Sequence, residues 1–358
     1  YGLRVTKQWT GGPLLGNFGA RHDGPYPFTV ELGGMVQRHD APNEMFRPDF
    51  MSAFASNIDL SGNQADDLDW GDGRDIKLTY APGGGWKTSV GVRFGKTNQE
   101  GYELRKGENL YACTVASPSC VPNNPTLMTV LNDYGVSDLR EKEEHTVADF
   151  RVGHDMGFGL ERLVSTVSGG LRYAELKSRS DVSLSGTPDW IVPATFFVLN
   201  GAKHHEYEGE MTADRSFDGF GPMIAWDASA ALFEQRDVGR VGVDWSVSAG
   251  VLFGHQKASV SGGESFAYWA DQRWGDFPEP ATDQGSTPLD VAPRSKSVTV
   301  PVLDLSLGLS YKVDRFNVGA GYSWERYFDA IDGGITEHQS YDRTIDGPYF
   351  KVSVGFGG

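Results

Sequence analysis

Between residues 350 and 356 the chain alternates strictly, with Phe350, Val352, Val354 and Phe356 on one side and Lys351, Ser353 and Gly355 on the other. Side chains along a strand point alternately to opposite faces, so this spacing predicts a strand with one apolar and one small or polar face. The same stripe recurs upstream. Phe316, Val318, Ala320, Tyr322 and Trp324 alternate with Asn317, Gly319, Gly321, Ser323 and Glu325, and Leu303, Leu305, Leu307, Leu309 and Tyr311 with Asp304, Ser306, Gly308, Ser310 and Lys312. Only Val313-Asp314-Arg315 links these two segments, which demands an antiparallel hairpin because a parallel crossover needs a dozen or more residues. Val241 to Phe253 and Phe220 to Leu232 repeat the pattern, and the first half carries it near 28–37, 75–81, 86–95, 147–155 and 163–176. The total is about ten strands, with 12 as the alternative, and the even number suits a bacterial barrel.

Connections alternate in length. Short links fall at 82–85, 156–159, 234–239 and 313–315, and long segments near 39–74, 97–145, 178–204, 256–296 and 329–347. Short turns at one end and long loops at the other are the asymmetry of an outer-membrane protein, with the long loops outside. The fold class expected is therefore all-β: a transmembrane antiparallel up-and-down β-barrel over 26–358, preceded by an N-terminal segment, 1–25, that the pattern does not place. A soluble β-sandwich would also alternate. It gives no reason for Trp226, Trp245, Tyr311, Tyr322 and Trp324 to share the stripe that faces away from the small residues, whereas aromatic girdles at a lipid interface do.

Mean hydropathy is low, -0.38, as expected when every second strand residue is polar and the loops are long. The longest apolar run, near Trp190 to Leu199, is broken by Pro193 and falls well short of the roughly 20 residues of a spanning helix. A net charge of -16 argues against nucleic acid as a partner, since phosphate binding needs clustered Lys and Arg. No charged leader with an apolar core opens the sequence at Tyr1, so the expectation is a mature protein of the bacterial cell outer membrane with its signal peptide removed. Its expected partners are the lipid bilayer, lipopolysaccharide, the barrel-assembly machinery and a homo-oligomer of itself. Cys113 and Cys120 bracket a turn-rich segment and are expected to form a disulfide that clips a loop in an oxidising compartment, a metal site being the competing use.

If the apolar stripe faces lipid, the other parity faces the lumen. Lys77, Lys87, Arg93, Arg151 and Arg172 from the first half would form a basic wall, and Asp227, Asp244, Asp304 and Glu325 from the second half an acidic one, with Asp149, Asp155, Lys312 and Lys351 blurring the division. Opposed walls orient water and polar solutes in a pore. The same charges could instead pair across the lumen and fill it, and about ten strands lie near the size at which side chains alone occupy a barrel. No cofactor is expected except a divalent cation, Ca²⁺, in a loop. Asp67, Asp69 and Asp72 have the spacing of a calcium loop but lack its twelfth-position Glu, so a solvated turn competes with it. His204 and His205 beside Glu206, Glu208 and Glu210 supply only the residue types of a surface protease, and no hydrolase motif accompanies them, so the chain is not expected to be an enzyme. Phe266, Tyr268, Trp269, Trp274 and Phe277 cluster in one segment and could form a docking surface or pack a loop on the rim.

From Asp69-Trp70-Gly71 through Gly169-Gly170-Leu171-Arg172-Tyr173 and Phe217-Asp218-Gly219-Phe220-Gly221-Pro222 to the Phe350–Phe356 stripe, the chain resembles the pore-forming family typified by the Legionella major outer membrane protein. The resemblance implies an outer-membrane β-barrel with a porin-like role and brings no catalytic residues. Two features depart from it: Gly357-Gly358 follow the aromatic residue that usually ends such barrels, and 101–138 and 260–294 have no counterpart. The function expected is passive diffusion of small polar or ionic solutes through a narrow charged lumen. The alternative is a closed structural or surface-interaction barrel, an adhesin or lattice element, and a surface protease stands behind both.

Overall fold

The computed structural model describes residues 26–44, 46, 70–106, 130–131, 134–156, 163–186, 189–192, 201–235, 238–272 and 282–357. Its strands are β1 (Phe28–Asp40), β2 (Gly71–Gly83), β3 (Trp86–Lys106), β4 (Val130–Leu131), β5 (Tyr134–Asp155), β6 (Leu163–Gly186), β7 (Asp189–Val192), β8 (Gly201–Gln235), β9 (Gly239–Gln272), β10 (Thr282–Val313), β11 (Phe316–Asp332) and β12 (Ser340–Phe356). Among the described residues, ten of these close into one antiparallel ring in the order β1-β2-β3-β5-β6-β8-β9-β10-β11-β12, with β12 paired back to β1. The short β4 and β7 extend the sheet beside β8. No helix among the described residues is long and apolar enough to cross a membrane. The chain crosses with strands instead.

Tight turns join the strands at the end assigned to the periplasm. Gly84 and Gly85 turn the β2–β3 hairpin at φ 65° and 83°, a conformation open to glycine, and Asp314 takes φ 49° in the β10–β11 turn. From these turns the expected stripe faces outward: Ile76, Leu78, Val90, Phe150, Leu171, Ile224, Leu307, Leu309, Val318 and Phe350 are exposed as large apolar side chains. Exposure of this kind needs a lipid solvent. Trp226 and Trp245 meet edge to face on the outer stripe, their ring centroids 6.0 Å apart.

The strands run past the ends that alternation alone sets. A strand crosses the hydrocarbon with about 9–11 residues, yet β8 has 35, β9 34 and β10 32. Much of what reads as loop in 97–145, 178–204 and 256–296 is the upper part of β3, β5, β6, β8, β9 and β10. The contiguous apolar stripe ends at Tyr173, Phe220 and Phe253, which are register partners on β6, β8 and β9. Above that line Glu175, Lys177 and Arg179 continue the outer face of β6, while Ala174, Leu176, Val182 and Leu184 turn inward and are buried. On β8, Asp214 and Glu210 face out, and Phe217, Ala213 and Met211 face in. The alternation keeps its period and reverses its polarity, because the outer face there meets water. We call the part below this line the membrane-spanning part and the part above it the cap.

Candidate functional site in the lumen

Parity sends one charged side chain after another into the membrane-spanning lumen, and register decides which of them meet. Arg172 on β6 is the hub. Its guanidinium lies 2.7 Å from Asp149 on neighbouring β5, 2.7 Å from Asp304 on β10 and 3.3 Å from Glu325 on β11. The last two strands stand across the barrel, so these ion pairs span the lumen. Arg93 on β3 adds a second crossing to Glu325 at 3.1 Å. Ser248 donates to Asp304 at 2.6 Å and Tyr327 donates its hydroxyl to Glu325 at 2.6 Å. Arg172 is only 2% exposed. Ions buried this deeply survive only when paired and hydrogen-bonded, and most of these are.

An apolar layer sits directly above. Val147, Leu176, Phe217, Leu252, Val300, Val302, Tyr327, Ile331 and Ile345 come from seven strands and form one buried cluster. The segment between β11 and β12 then folds inward over it. Arg294 on β10 holds that segment, donating to Asp332 at 2.9 Å, to the Ile335 carbonyl at 2.8 Å and to the Gly334 carbonyl at 2.7 Å. Gln256 donates to the Asp329 carbonyl at 2.6 Å, and Arg343 ties the same region to Pro42 and Asn43 beyond β1. Ile335 is buried among Phe46, Leu139, Leu184, Met211 and Val260 in a second apolar cluster inside the cap. Beside it, burial raises the Glu143 carboxyl above the usual range despite Arg343 at 3.5 Å, and burial together with Arg343 lowers Arg215 to about 10.

Glycine makes room where a polar side chain must fit the wall. Gly73 and Gly95 flank the buried amide of Gln37, and a Cβ at either position would collide with it. Close by, His39 and His145 meet through Nε2 and Nδ1 at 3.2 Å, and His39 also contacts the Thr97 hydroxyl. Among the described residues no group of three or more His, Cys, Asp or Glu side chains is placed to hold a metal ion.

All nine lumen residues singled out from the sequence lie on inward-facing strand positions. Arg93, Arg172, Asp304 and Glu325 belong to the crossing network. Arg151 bridges Asp149 at 3.7 Å and Asp227 at 3.6 Å, and Lys87 pairs with Asp155 at 2.7 Å. Lys77 and Asp244 line a cavity below the network. Asp72 lies on the outer face beside Arg74, 3.7 Å away, while Asp67, Asp69, Cys113 and Cys120 fall outside the described residues. Sequence reading gave no central role to Asp149, and none to Tyr327, Arg294 or Arg343. Parity marks Asp149 as inward, but its place against Arg172 is a matter of register. The arginines act on a folded-in connection that alternation cannot describe.

Several solved structures overlay most of the chain. The translocator domain of the autotransporter NalP from Neisseria meningitidis is 10% identical, with 94% of this chain and 90% of that one covered and a TM-score of 0.27. A monoaromatic hydrocarbon channel, the TodX deltaS2S3 mutant, is 10% identical over 97% and 95% of the two chains with a TM-score of 0.31. LpxR from Salmonella typhimurium is 11% identical over 92% and 100%, with a TM-score of 0.24. No curated protein matches the sequence. Residues 51–356 match the family described by the Legionella pneumophila major outer membrane protein precursor. With that match over most of a ring of strands whose apolar stripe faces outward, the chain belongs to the family of the Legionella major outer membrane protein, as a β-barrel of the bacterial outer membrane.

Proposed function

We propose that this protein is an outer-membrane barrel closed to diffusion in its resting state, which acts as a structural or surface-interaction element through its cap. The observation that carries this reading is the Arg172 hub, whose contacts to Asp304 and Glu325 bridge the lumen and leave the guanidinium 2% exposed. The buried cluster around Phe217 and Tyr327 lies over it, so a solute would have to pass a charged layer and then an apolar one. The reading assigns the chain no catalytic role. Lipopolysaccharide at the outer rim, or a second copy of the barrel, are the partners that such a cap would present itself to.

Porin-like diffusion of small polar or ionic solutes is the second reading. It is favoured by the polar, charged cavity that occupies the periplasmic half of the lumen, which a purely structural barrel has no need to keep. Planar-bilayer recording on purified, refolded protein separates the two. The closed reading expects no conductance steps from protein shown to be folded and inserted. Stable steps from the unmodified chain would overturn it and install the porin reading.

A further inference from the structure

Below the Arg172 network the lumen opens into a cavity of about 360 Å³ toward the periplasmic turns. Six cationic side chains line it, Lys77, Lys87, Arg151, Arg240, Lys312 and Lys351, against two carboxylates, Asp227 and Asp244. Three of the cations have acids at hand: Lys87 with Asp155 at 2.7 Å, Arg151 with Asp227 at 3.6 Å and Lys351 with Glu31 at 3.8 Å. The other three, Lys77, Arg240 and Lys312, make no ion pair within 4.0 Å among the described residues.

Two of those three are held against each other. Arg240 on β9 and Lys312 on β10 are direct register partners, and like charges in that position repel. One Nη atom of Arg240 is buried with no hydrogen-bond partner. Glu234 is the register partner of Arg240 on β8, but it is exposed and forms no ion pair with it. Asn317, the partner of Lys312 on β11, lines the same cavity together with Ser310. A half-buried guanidinium beside an exposed ammonium of like charge, with neutral donors beside them and a donor atom left unmet, forms an arrangement that an oxyanion completes. It would accept from all of them and remove the repulsion.

We propose that this periplasmic vestibule binds a small oxyanion, of the phosphate or carboxylate class, between Arg240, Lys312 and Lys77. The cavity lies toward the periplasmic turns, so the ligand enters and leaves from that side. The site does not require the lumen to be closed, and bilayer recording bears on closure alone, so the two readings fail separately.

The test is calorimetric titration of inorganic phosphate into the refolded full-length chain, at constant ionic strength held with chloride. A parallel titration with acetate tells the phosphate class from the carboxylate class. The expected result is saturable binding to the unmodified protein, weakened about tenfold or more by the double substitution Arg240→Gln/Lys312→Gln, since each charge-assisted hydrogen bond is worth about that factor. Asp244→Asn should tighten binding by removing an opposing carboxylate, a change that generic loosening of the barrel would not produce. Should the double variant fail to fold, Lys77→Gln and Asp244→Asn still give opposite signs. The absence of saturable heat from folded protein with both anions would overturn the proposal, as would affinities that none of these substitutions moves.

Discussion

The membrane-spanning part of the barrel and its cap are built from the same strands, and they are opposites. Below the line of Tyr173, Phe220 and Phe253 the outside is apolar and the inside holds Arg93, Arg172, Asp304 and Glu325; above it the outside carries Lys177, Arg179 and Asp214, and the inside holds Leu176, Leu184 and Met211. One backbone ladder runs through both without a break. The strand fixes only that neighbours face opposite ways, and the solvent on each side decides which face is apolar. The cap is an ordinary soluble β-structure stacked on a membrane one, and the point where the polarity reverses marks the outer surface of the bilayer.

The largest effect is expected at the Arg172 hub. Arg172→Met leaves Asp149, Asp304 and Glu325 buried around one fewer cation, and removing one partner of a buried ionic network costs about 3–5 kcal/mol. The midpoint of urea unfolding in detergent should fall accordingly. Adding Asp149→Leu should recover part of the loss, because the charge left stranded is then removed as well. A single variant as stable as the parent would mean that the lumen is wet and that the ions are not buried.

A matched pair of substitutions, one on each side of the polarity reversal, has the next largest effect. Leu307 is 60% exposed on the lipid face and Leu184 is 1% exposed inside the cap. Leu307→Lys should cost about 2–4 kcal/mol if it lies near the bilayer midplane, and Leu184→Ala about 2–5 kcal/mol as a cavity in a packed core. The two should separate by solvent: the Leu307→Lys cost depends on the lipid or detergent used, and the Leu184→Ala cost does not. Equal sensitivity at both sites would put the membrane boundary in the wrong place.

What the sequence made legible follows from the same distinction. Period-two stripes such as Leu303 to Tyr311 gave the ring of strands, the hairpin at Asp314 and the inward parity of all nine lumen charges. They did not give the upper parts of β6 and of β8 to β10, because a search for apolar residues on the outer face stops where that face turns polar at Glu175 and Asp218. The signal was present in the other phase, as Val182 and Leu184 or Met211 and Ala213, and needed a change of reference rather than a new pattern. The hub was legible as a set of residues but not as contacts. Arg172 meets Asp304 across the barrel, and that distance depends on closure and strand tilt, which no local spacing encodes. The folded-in segment from Gly333 to Gln339 was invisible for a third reason: its position comes from Arg294 and Gln256, both distant in sequence.

A smaller effect comes from pH. Burial holds the Glu143 carboxyl above its ordinary value in the folded cap. A raised folded value means that Glu143 contributes stability fully below the pKa of the unfolded carboxyl and loses it as pH rises through the folded one. Cap stability should therefore decline between acidic and neutral pH, and Glu143→Gln should flatten that slope. Proteolysis confined to the cap is the readout, since the membrane-spanning part does not share the group. A slope of the same size in the Gln variant would assign the dependence elsewhere.

The smallest effect belongs to the outer face of the cap. Arg179 donates to Asp181 at 2.9 Å and 3.1 Å, and that hydrogen bonding lowers the Asp181 carboxyl below its usual range. Both side chains are well exposed, 52% and 41%, so water and salt already screen the pair. An exposed ion pair contributes about 0–1 kcal/mol, and Arg179→Ala should move the unfolding midpoint by an amount at the low end of that range, less still in high salt. The near-silence is informative because Arg179 lies on the same face of the same strand as Leu171, which the bilayer contacts. If that face still met lipid at residue 179, an arginine there would be costly and its removal would stabilise the barrel by about 2–4 kcal/mol. A clear gain in stability on Arg179→Ala would therefore move the boundary of the membrane outward by several residues and erase the distinction between cap and membrane-spanning part on β6.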